Sequence, residues 1–494
     1  IEAKRPVSST KPTAMVEEGI SQHLRNQMGD GIQDLYVYSQ LLLSISGVDG
    51  RYGTTDTKKK FWSSWREEDI PEAEMAQIKG TPLSAAHRTA IFADRPRWAL
   101  EAFDRLHGSH VLVTDQDRLL VSLMRPDRLL DFTRRFLFYD KNTGKIAARY
   151  QQVQGVKAII AQVRKIKPDG SREGGVIWHT TGSGKSNLMV FLTKALLLEP
   201  ELAGARVIVV TDRVDLEKQL SGTFLTGGAF GSDVATKKDG AAAKVQSGRD
   251  LAVRIGSGSE RIIFTLLQKF NSATKLPECQ NASDKLIVLV DEGHRSQSGE
   301  NHERMRKALP NAAFIAFTGT PLLKDDKTRN KFGPILHAYT MQRAVDDGAV
   351  TPLVYEERRP VVDVNEAAID AQFDYFTEGM SEAQKSDLKQ KYSTRGHIYG
   401  ALSRIDLIAF DIAKHFKANF EHDGLKAQLA TDSKLSAIRY KNALDATGLV
   451  TSAVVISAPD TREGHEEADE SKAPEVQAWW KANVGNDPEA YETG

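Results

Sequence analysis

From about residue 174 the chain alternates short β-branched runs with stretches of helical periodicity, a pattern that predicts a parallel sheet with crossover helices. The runs are 175–179, 205–211, 261–265, 285–291 and 313–318. They are nearly continuous in apolar residues, as expected for strands covered on both faces. Between 227 and 260 the sequence turns rich in Gly, Ala, Ser and Lys, with little periodicity until Leu251, which predicts an exposed insertion. After a polar, acidic stretch at 355–390, strand-like runs at 426–430 and 452–457 flank an amphipathic helix at 434–444 and predict the start of a second α/β lobe. The first 110 residues differ: a helix-like segment at 13–28, a strand-like run at 35–45 and a turn-rich stretch at 47–57. No internal repeat is present.

Composition narrows the classes. With 494 residues, 40% hydrophobic and 27% charged, the chain can bury more than one core, and disorder is excluded as the general reading. Lys+Arg and Asp+Glu both number 66, so any polyanion site must be local. One cysteine, Cys279, builds neither a disulfide framework nor a thiolate zinc site and fits a reducing compartment, the cytoplasm by default. The apolar run 188–198 is interrupted by Thr193 and Lys194 and falls short of the roughly 20 residues of a membrane span. The sequence starts with Ile1 inside an apparent strand and stops in polar sequence, so it reads as a segment of a longer chain.

The strongest chemical signal is His179-Thr-Thr-Gly-Ser-Gly-Lys-Ser186, between a strand and a helix. Glycines at 182 and 184 let Thr181, Gly182, Ser183 and Gly184 turn their N–H groups toward phosphate oxygens at a helix N-terminus. Lys185 would reach the β and γ phosphates of ATP, and Ser186 would ligate Mg²⁺. His179 stands where the broad pattern has its first glycine. About a hundred residues on, Asp291 and Glu292 end an apolar strand, where ligands sit in open α/β sheets. Asp291 would hold Mg²⁺, Glu292 would orient or deprotonate the attacking water, and His294 is placed to sense nucleotide state.

In this order, Thr-Gly-Ser-Gly-Lys-Ser, Asp-Glu-Gly-His and Thr318-Gly-Thr-Pro321 resemble motifs I, II and III of the superfamily 2 helicases and translocases. The longer runs Gly175 to Ser186, Thr211 to Leu220, Gln268-Lys-Phe270, His294-Arg-Ser-Gln297 and Gly319 to Leu322 resemble the motor (R) subunit of type I restriction endonucleases. The resemblance implies an α/β fold: a partial restriction-endonuclease-like nuclease domain at 1–110, then RecA-like helicase lobes with parallel sheets at 111–345 and 346–494. It implies Gln152, within Arg149-Tyr-Gln-Gln152, as the adenine reader, an amide being able to pair both edges of the base. Glu2 and Lys4 match the family's Glu-x-Lys. Strand alternation places both on one face, where Glu2 would bind Mg²⁺ and Lys4 would orient water or stabilise developing charge.

The acidic residue that precedes this pair in the family has no counterpart in the sequence. The family's Gln-x-x-x-Tyr appears as Gln22 followed by Asn26, which keeps the amide and loses the aromatic. Lys58, Lys59 and Lys60 interleave with Phe61, Trp62 and Trp65; read by itself this is a solvated charge run beside buried tryptophans. Arg213 and Lys269 stand at strand ends, placed for backbone contacts to DNA. The implied activity is ATP-dependent translocation on double-stranded DNA coupled to Mg²⁺-dependent cleavage, with methyltransferase and specificity subunits as partners and no membrane. A superfamily 2 helicase without nuclease activity and a nucleotide-gated DNA-binding scaffold are the alternative expectations.

Overall fold

The N-terminal strand-like segments form a small mixed sheet. In the computed structural model, which describes residues 1–5, 15–107, 112–140, 144–211, 245, 247–291, 299–320, 332–357, 402–457 and 474–485, β1 (Glu2–Ala3) pairs parallel with β2 (Leu42–Ile45), and β2 pairs antiparallel with β3 (Gly50–Gly53). Helix α1 (Met15–Asn26) lies against β2. The approach is close at Gly19, where a Cβ would fall 2.1 Å from Ser44 Oγ. The run 35–45, predicted as one strand, is divided into α2 (Gln33–Tyr38) and β2. Only Tyr36 of α2 is buried, so the short apolar run satisfied a two-residue and a 3.6-residue period equally.

Helices α3 (Glu72–Gly80), α4 (Ala85–Phe92), α5 (Arg97–His107), α6 (Asp115–Leu123) and α7 (Pro126–Arg135) follow, then the antiparallel hairpin β4 (Leu137–Asp140) and β5 (Gly144–Ala147). Thr114 and Asp117 cap α6 reciprocally, satisfying two N–H groups the helix cannot.

The main sheet contains β6 (Gly175–His179), β7 (Arg206–Thr211), β8 (Ile262–Leu266), β9 (Leu286–Asp291), β10 (Ala313–Thr318) and β11 (Ile335–Tyr339), in the order β11-β6-β10-β9-β7-β8. Every pairing is parallel. The five predicted runs are all strands. The sixth, β11, escaped prediction because His337 interrupts its apolar residues, and the ladder shifts register at that point.

Side-chain alternation divides the sheet between two cores. Ile177, Val207, Val209, Leu289, Ile315 and Phe317 face α8 (Tyr150–Val163) and α9 (Lys185–Leu198). Val176, Ile208, Val210, Val288, Phe314 and Ala316 face the opposite side, with α10 (Gly248–Ser257), α11 (Leu267–Ala273) and Met305 of α12 (Gly299–Ala308). Helix α9 is apolar almost all round because it is enclosed; Leu188, Met189, Val190, Phe191, Leu192, Ala195 and Leu196 are fully buried. Each large side chain among them contributes about 1.5–3 kcal/mol. The helix ends at Glu199, held extended by Pro200. The buried Glu199 carboxylate accepts from Arg135 (3.0 Å) and Arg164 (2.5 Å).

The chain forms two compact units, 1–353 and 354–494. Within the first, one hydrophobic core runs from Leu43, Tyr52 and Trp65 through Phe132 and Phe136 to α9. Buried Tyr52 donates its hydroxyl to the Ala148 carbonyl at 2.7 Å, tying β3 to the start of α8. α13 (Met341–Asp346) follows β11 and closes this unit.

The second unit holds α14 (Leu402–Asn419), α15 (Lys434–Ala446) and α16 (Pro474–Asn483). The predicted helix at 434–444 is α15. The strands predicted at 426–430 and 452–457 are absent: both segments are described and neither carries a β-ladder. Val454 instead packs with Ile438 and Val476, so its apolar residues serve helix packing.

Candidate functional site

The phosphate loop leaves β6 at His179 and enters α9 at Lys185. Gly182 and Gly184 adopt φ of 82° and 89°, the left-handed region that only glycine occupies without cost. These two residues reverse the chain so that α9 opens toward the C-terminal edge of the sheet. Ser183 is buried and folds back, its hydroxyl donating to the Thr180 carbonyl at 2.6 Å, while Thr181 and Gly182 are exposed. Lys185 Nζ lies 3.4 Å from the His179 carbonyl, across the mouth of the loop. Gln152 supports the same turn from α8: its amide nitrogen donates to the Gly184 carbonyl at 2.9 Å, and its oxygen accepts from the Arg149 N–H at 2.8 Å.

The remaining motif residues converge where described. Asp291 ends β9 opposite Phe317 of β10, and Thr318 of β10 lies opposite Trp178 of β6, so Asp291, Thr318 and the loop share one sheet edge. A Cβ at Gly319 would fall 2.9 Å from Thr181 Oγ1 and 3.5 Å from Lys185 Nζ, so the third motif abuts the first. Trp178 Nε1 donates to the Gly319 carbonyl at 3.2 Å. Glu292, His294 and Arg213 lie outside the described residues. Lys269, which was expected to contact the DNA backbone, donates to the Val245 carbonyl.

His179 is fully buried. Burial first, and then the neighbouring His337, Lys185 and Arg343, hold its pKa well below the usual histidine value, so its ring is neutral. Its Nε2 is 2.8 Å from His337 Nδ1, and His337 Nε2 is 3.3 Å from Glu68. Arg343 pairs with Glu68 at 2.5 Å and covers the Tyr150 ring at 5.5 Å. Tyr150 and Tyr339 both donate to Asp347, at 2.5 and 2.9 Å, and Arg66 pairs with Asp347 at 2.6 Å. None of Glu68, His337, Arg343 and Asp347 was found from sequence. The only local signal was a histidine inside an apolar strand.

A second cluster lies on the N-terminal sheet. Glu2 and Lys4 are on one strand face as alternation requires, 3.0 Å apart. Lys4 Nζ also donates to Gln22 Oε1 from α1, so the geometry joins the glutamine that motif spacing left open. Next to it, buried His23 hydrogen-bonds Tyr36 Oη (2.9 Å) and the Leu43 carbonyl (3.0 Å) and stacks on Trp62. Trp62 and Trp65 are buried, while Lys59 pairs with Glu17 at the surface, as the plain reading of that run expected.

The fit to the implied groups differs between the clusters. At the loop, a Cβ on Gly184 would fall 2.7 Å from Gln152 Nε2, so the turn takes only glycine at that position. With Lys185, Ser186 and the buried Asp291 beside it, the donor set fits a triphosphate and its Mg²⁺. On the N-terminal sheet Glu2 is a single carboxylate; among the described residues no group of three His, Cys, Asp or Glu could hold a metal ion.

Two family models match the segments in which the two clusters lie. Residues 1–61 match the model for the type I restriction enzyme R protein N terminus, and residues 151–386 match the SWI2/SNF2 ATPase model. The chain is similar to the R proteins of type I restriction enzymes. It is 31% identical over 425 residues to the type I restriction enzyme HindI endonuclease subunit of Haemophilus influenzae, covering 82% of this chain and 36% of that protein. The SsaAORF53P endonuclease subunit of Staphylococcus saprophyticus is 28% identical over 331 residues, covering 61% and 33%. The chain thus spans about a third of these R proteins. Among solved structures, a fragment assigned as an HsdR subunit from Vibrio vulnificus aligns over 89% of this chain and 61% of its own, with 15% identity and a TM-score of 0.38. No helix among the described residues is long and apolar enough to cross a membrane.

Proposed function

We propose that this chain is the ATP-driven motor and part of the nuclease of a restriction subunit, translocating double-stranded DNA and cleaving it in complex with methyltransferase and specificity subunits. Residues 1–110 serve as the nuclease domain, 111–345 as the first RecA-like lobe and 346–494 as part of the second; the setting is cytoplasmic. The observation that carries the reading is the left-handed Gly182–Gly184 cradle with Lys185 at its mouth and Asp291 on the same sheet edge.

Lys185 would move from the His179 carbonyl to the β and γ phosphates. Ser186 and Asp291 would hold the Mg²⁺, with Glu292 orienting the attacking water and Gln152 reading adenine while it braces Gly184. When bound, Mg²⁺ neutralises charge on the transferring phosphoryl group. At the second cluster, Glu2 would contribute one ligand to a catalytic Mg²⁺, while Lys4, steadied by Gln22, would orient water or stabilise charge at the cleaved phosphodiester. A motor without a nuclease is the competing reading, and it holds if Glu2 and Lys4 prove idle.

The test is a double dissociation in the complete subunit. Lys185→Ala should weaken ATP binding at least about tenfold, the size of a lost charge-assisted hydrogen bond, and end DNA-stimulated phosphate release. Glu2→Ala should end cleavage and spare phosphate release. Unchanged nucleotide binding in Lys185→Ala removes the motor assignment, and wild-type cleavage by Glu2→Ala removes the nuclease assignment.

A further inference from the structure

We propose that Glu68 is a positioning residue for the phosphate loop, acting through His337 and His179. The proposal rests on the ATP-site reading above and deepens it. Glu68 lies between the two segments that match family models, in the stretch joining the N-terminal module to the ATPase lobe. Neither matched segment therefore assigns it a role.

The direction of the hydrogen bonds follows from one end. A carboxylate only accepts, so His337 carries its proton on Nε2 and donates to Glu68 at 3.3 Å. On the other side of the ring, Nδ1 accepts from His179 Nε2 at 2.8 Å, the His179 nitrogen that has a partner to receive its proton. His179 Nδ1 is then a bare acceptor. It is buried and has no hydrogen-bond partner among the described residues, a site where an N–H would be harder to leave unpaired. Glu68 thus selects the tautomer of both rings.

His179 is a strategic place for that selection. Its carbonyl is the resting partner of Lys185, and it is the last residue of β6 before the loop. Its ring is boxed by α8, since a Cβ at Gly155 would fall 3.5 Å from His179 Cε1. Fixing the ring therefore fixes where the loop departs relative to the helix that carries Gln152. Without Glu68 the His337 ring loses its orienting partner, and the 2.8 Å bond to His179 is no longer enforced.

The experiment measures affinity of the purified chain for a non-hydrolysable ATP analogue with Mg²⁺, alongside its thermal midpoint. Glu68→Ala should weaken binding about fivefold, the value of one net hydrogen bond, and His337→Phe should do the same. The double variant should lose no more than either single one, because both cut one chain of bonds. Glu68→Gln keeps an acceptor for His337 while giving up the charge pair with Arg343, and should return affinity to within about twofold of wild type. Glu68 has a side chain 28% exposed, so the fold should tolerate both of its substitutions.

Wild-type affinity in Glu68→Ala and His337→Phe, or losses that multiply in the double variant, overturns the proposal even if Lys185→Ala no longer binds. Failure of Glu68→Gln to restore affinity also overturns it, since the charge pair with Arg343 would then be the operative contact. If wild type and Lys185→Ala bind equally, the nucleotide-site reading falls and this inference falls with it.

Discussion

Replacing Gly184 by alanine tests the phosphate loop through its backbone. The residue sits at φ 89° and ψ 39°, where an L side chain costs about 1–2 kcal/mol. The new Cβ would also meet Gln152 Nε2 at 2.7 Å, inside any tolerated contact. The amide must withdraw, losing its 2.9 Å bond to the Gly184 carbonyl, worth about 1 kcal/mol. The total is about 2–3 kcal/mol, or roughly 30- to 150-fold if it is expressed in nucleotide affinity. Gly170→Ala is the matched control, since that glycine has φ 83° with nothing within 4 Å of its Cβ position; it should show the conformational cost alone and bind nucleotide normally. Titration of an ATP analogue and urea unfolding would be run on both variants and on Gln152→Ala combined with Gly184→Ala. The double variant should recover about 1 kcal/mol relative to additivity, because the collision is gone. If Gly184→Ala matches Gly170→Ala in stability and binds nucleotide like wild type, the cradle does not depend on this turn.

Two further outcomes concern the N-terminal half. Burial lowers the pKa of His23, so the unfolded chain binds a proton near pH 6.5 that the folded chain refuses. Stability should be full above that pH and fall as pH drops below it, by up to about 1.4 kcal/mol per pH unit until the folded group titrates. The check is urea unfolding at pH 7.5, 6.5 and 5.5, where the slope should be shallower in His23→Gln. Glu67, whose side chain is wholly buried, accepts from Trp65 Nε1 (2.9 Å), Arg128 (2.8 Å) and the Asp69 N–H (2.8 Å); Glu67→Ala should cost about 3 kcal/mol in the same assay by removing the acceptor of all three donors and leaving the nearly buried guanidinium with the looser Asp69 pair at 3.8 Å.

What could be read from sequence follows the range of the interactions involved. The phosphate loop was legible because its glycines, lysine and serine are contiguous and meet a strand before and a helix after. The five strands were legible because both their faces are buried, which leaves a mark on every residue. β11 carried a weaker mark, since its residues are half-buried and His337 faces a polar partner. The extended segment around Val454 was read as a strand because its apolar spacing serves packing on α15 and α16 equally well. Gln22 illustrates the opposite case: motif spacing left it doubtful, and only the approach of α1 to β1 places it on Lys4. Glu68 and His337 share no pattern, being brought together across the first unit by tertiary structure alone.

The strand order has a consequence for biosynthesis. β6, the strand that presents the phosphate loop, finds both its neighbours far downstream: Gly175 pairs with Ile315 of β10, and Val176 with Ile335 of β11. A ribosome adding about 5–20 residues per second needs roughly 7–30 seconds to make the 140 or so residues that separate β6 from β10. Throughout that interval an apolar strand and the apolar α9 behind it have no sheet to join. The nascent chain is therefore most exposed to aggregation just after its nucleotide-binding motif emerges, and slowing translation between residues 180 and 313 should lower soluble yield more than slowing it after residue 340.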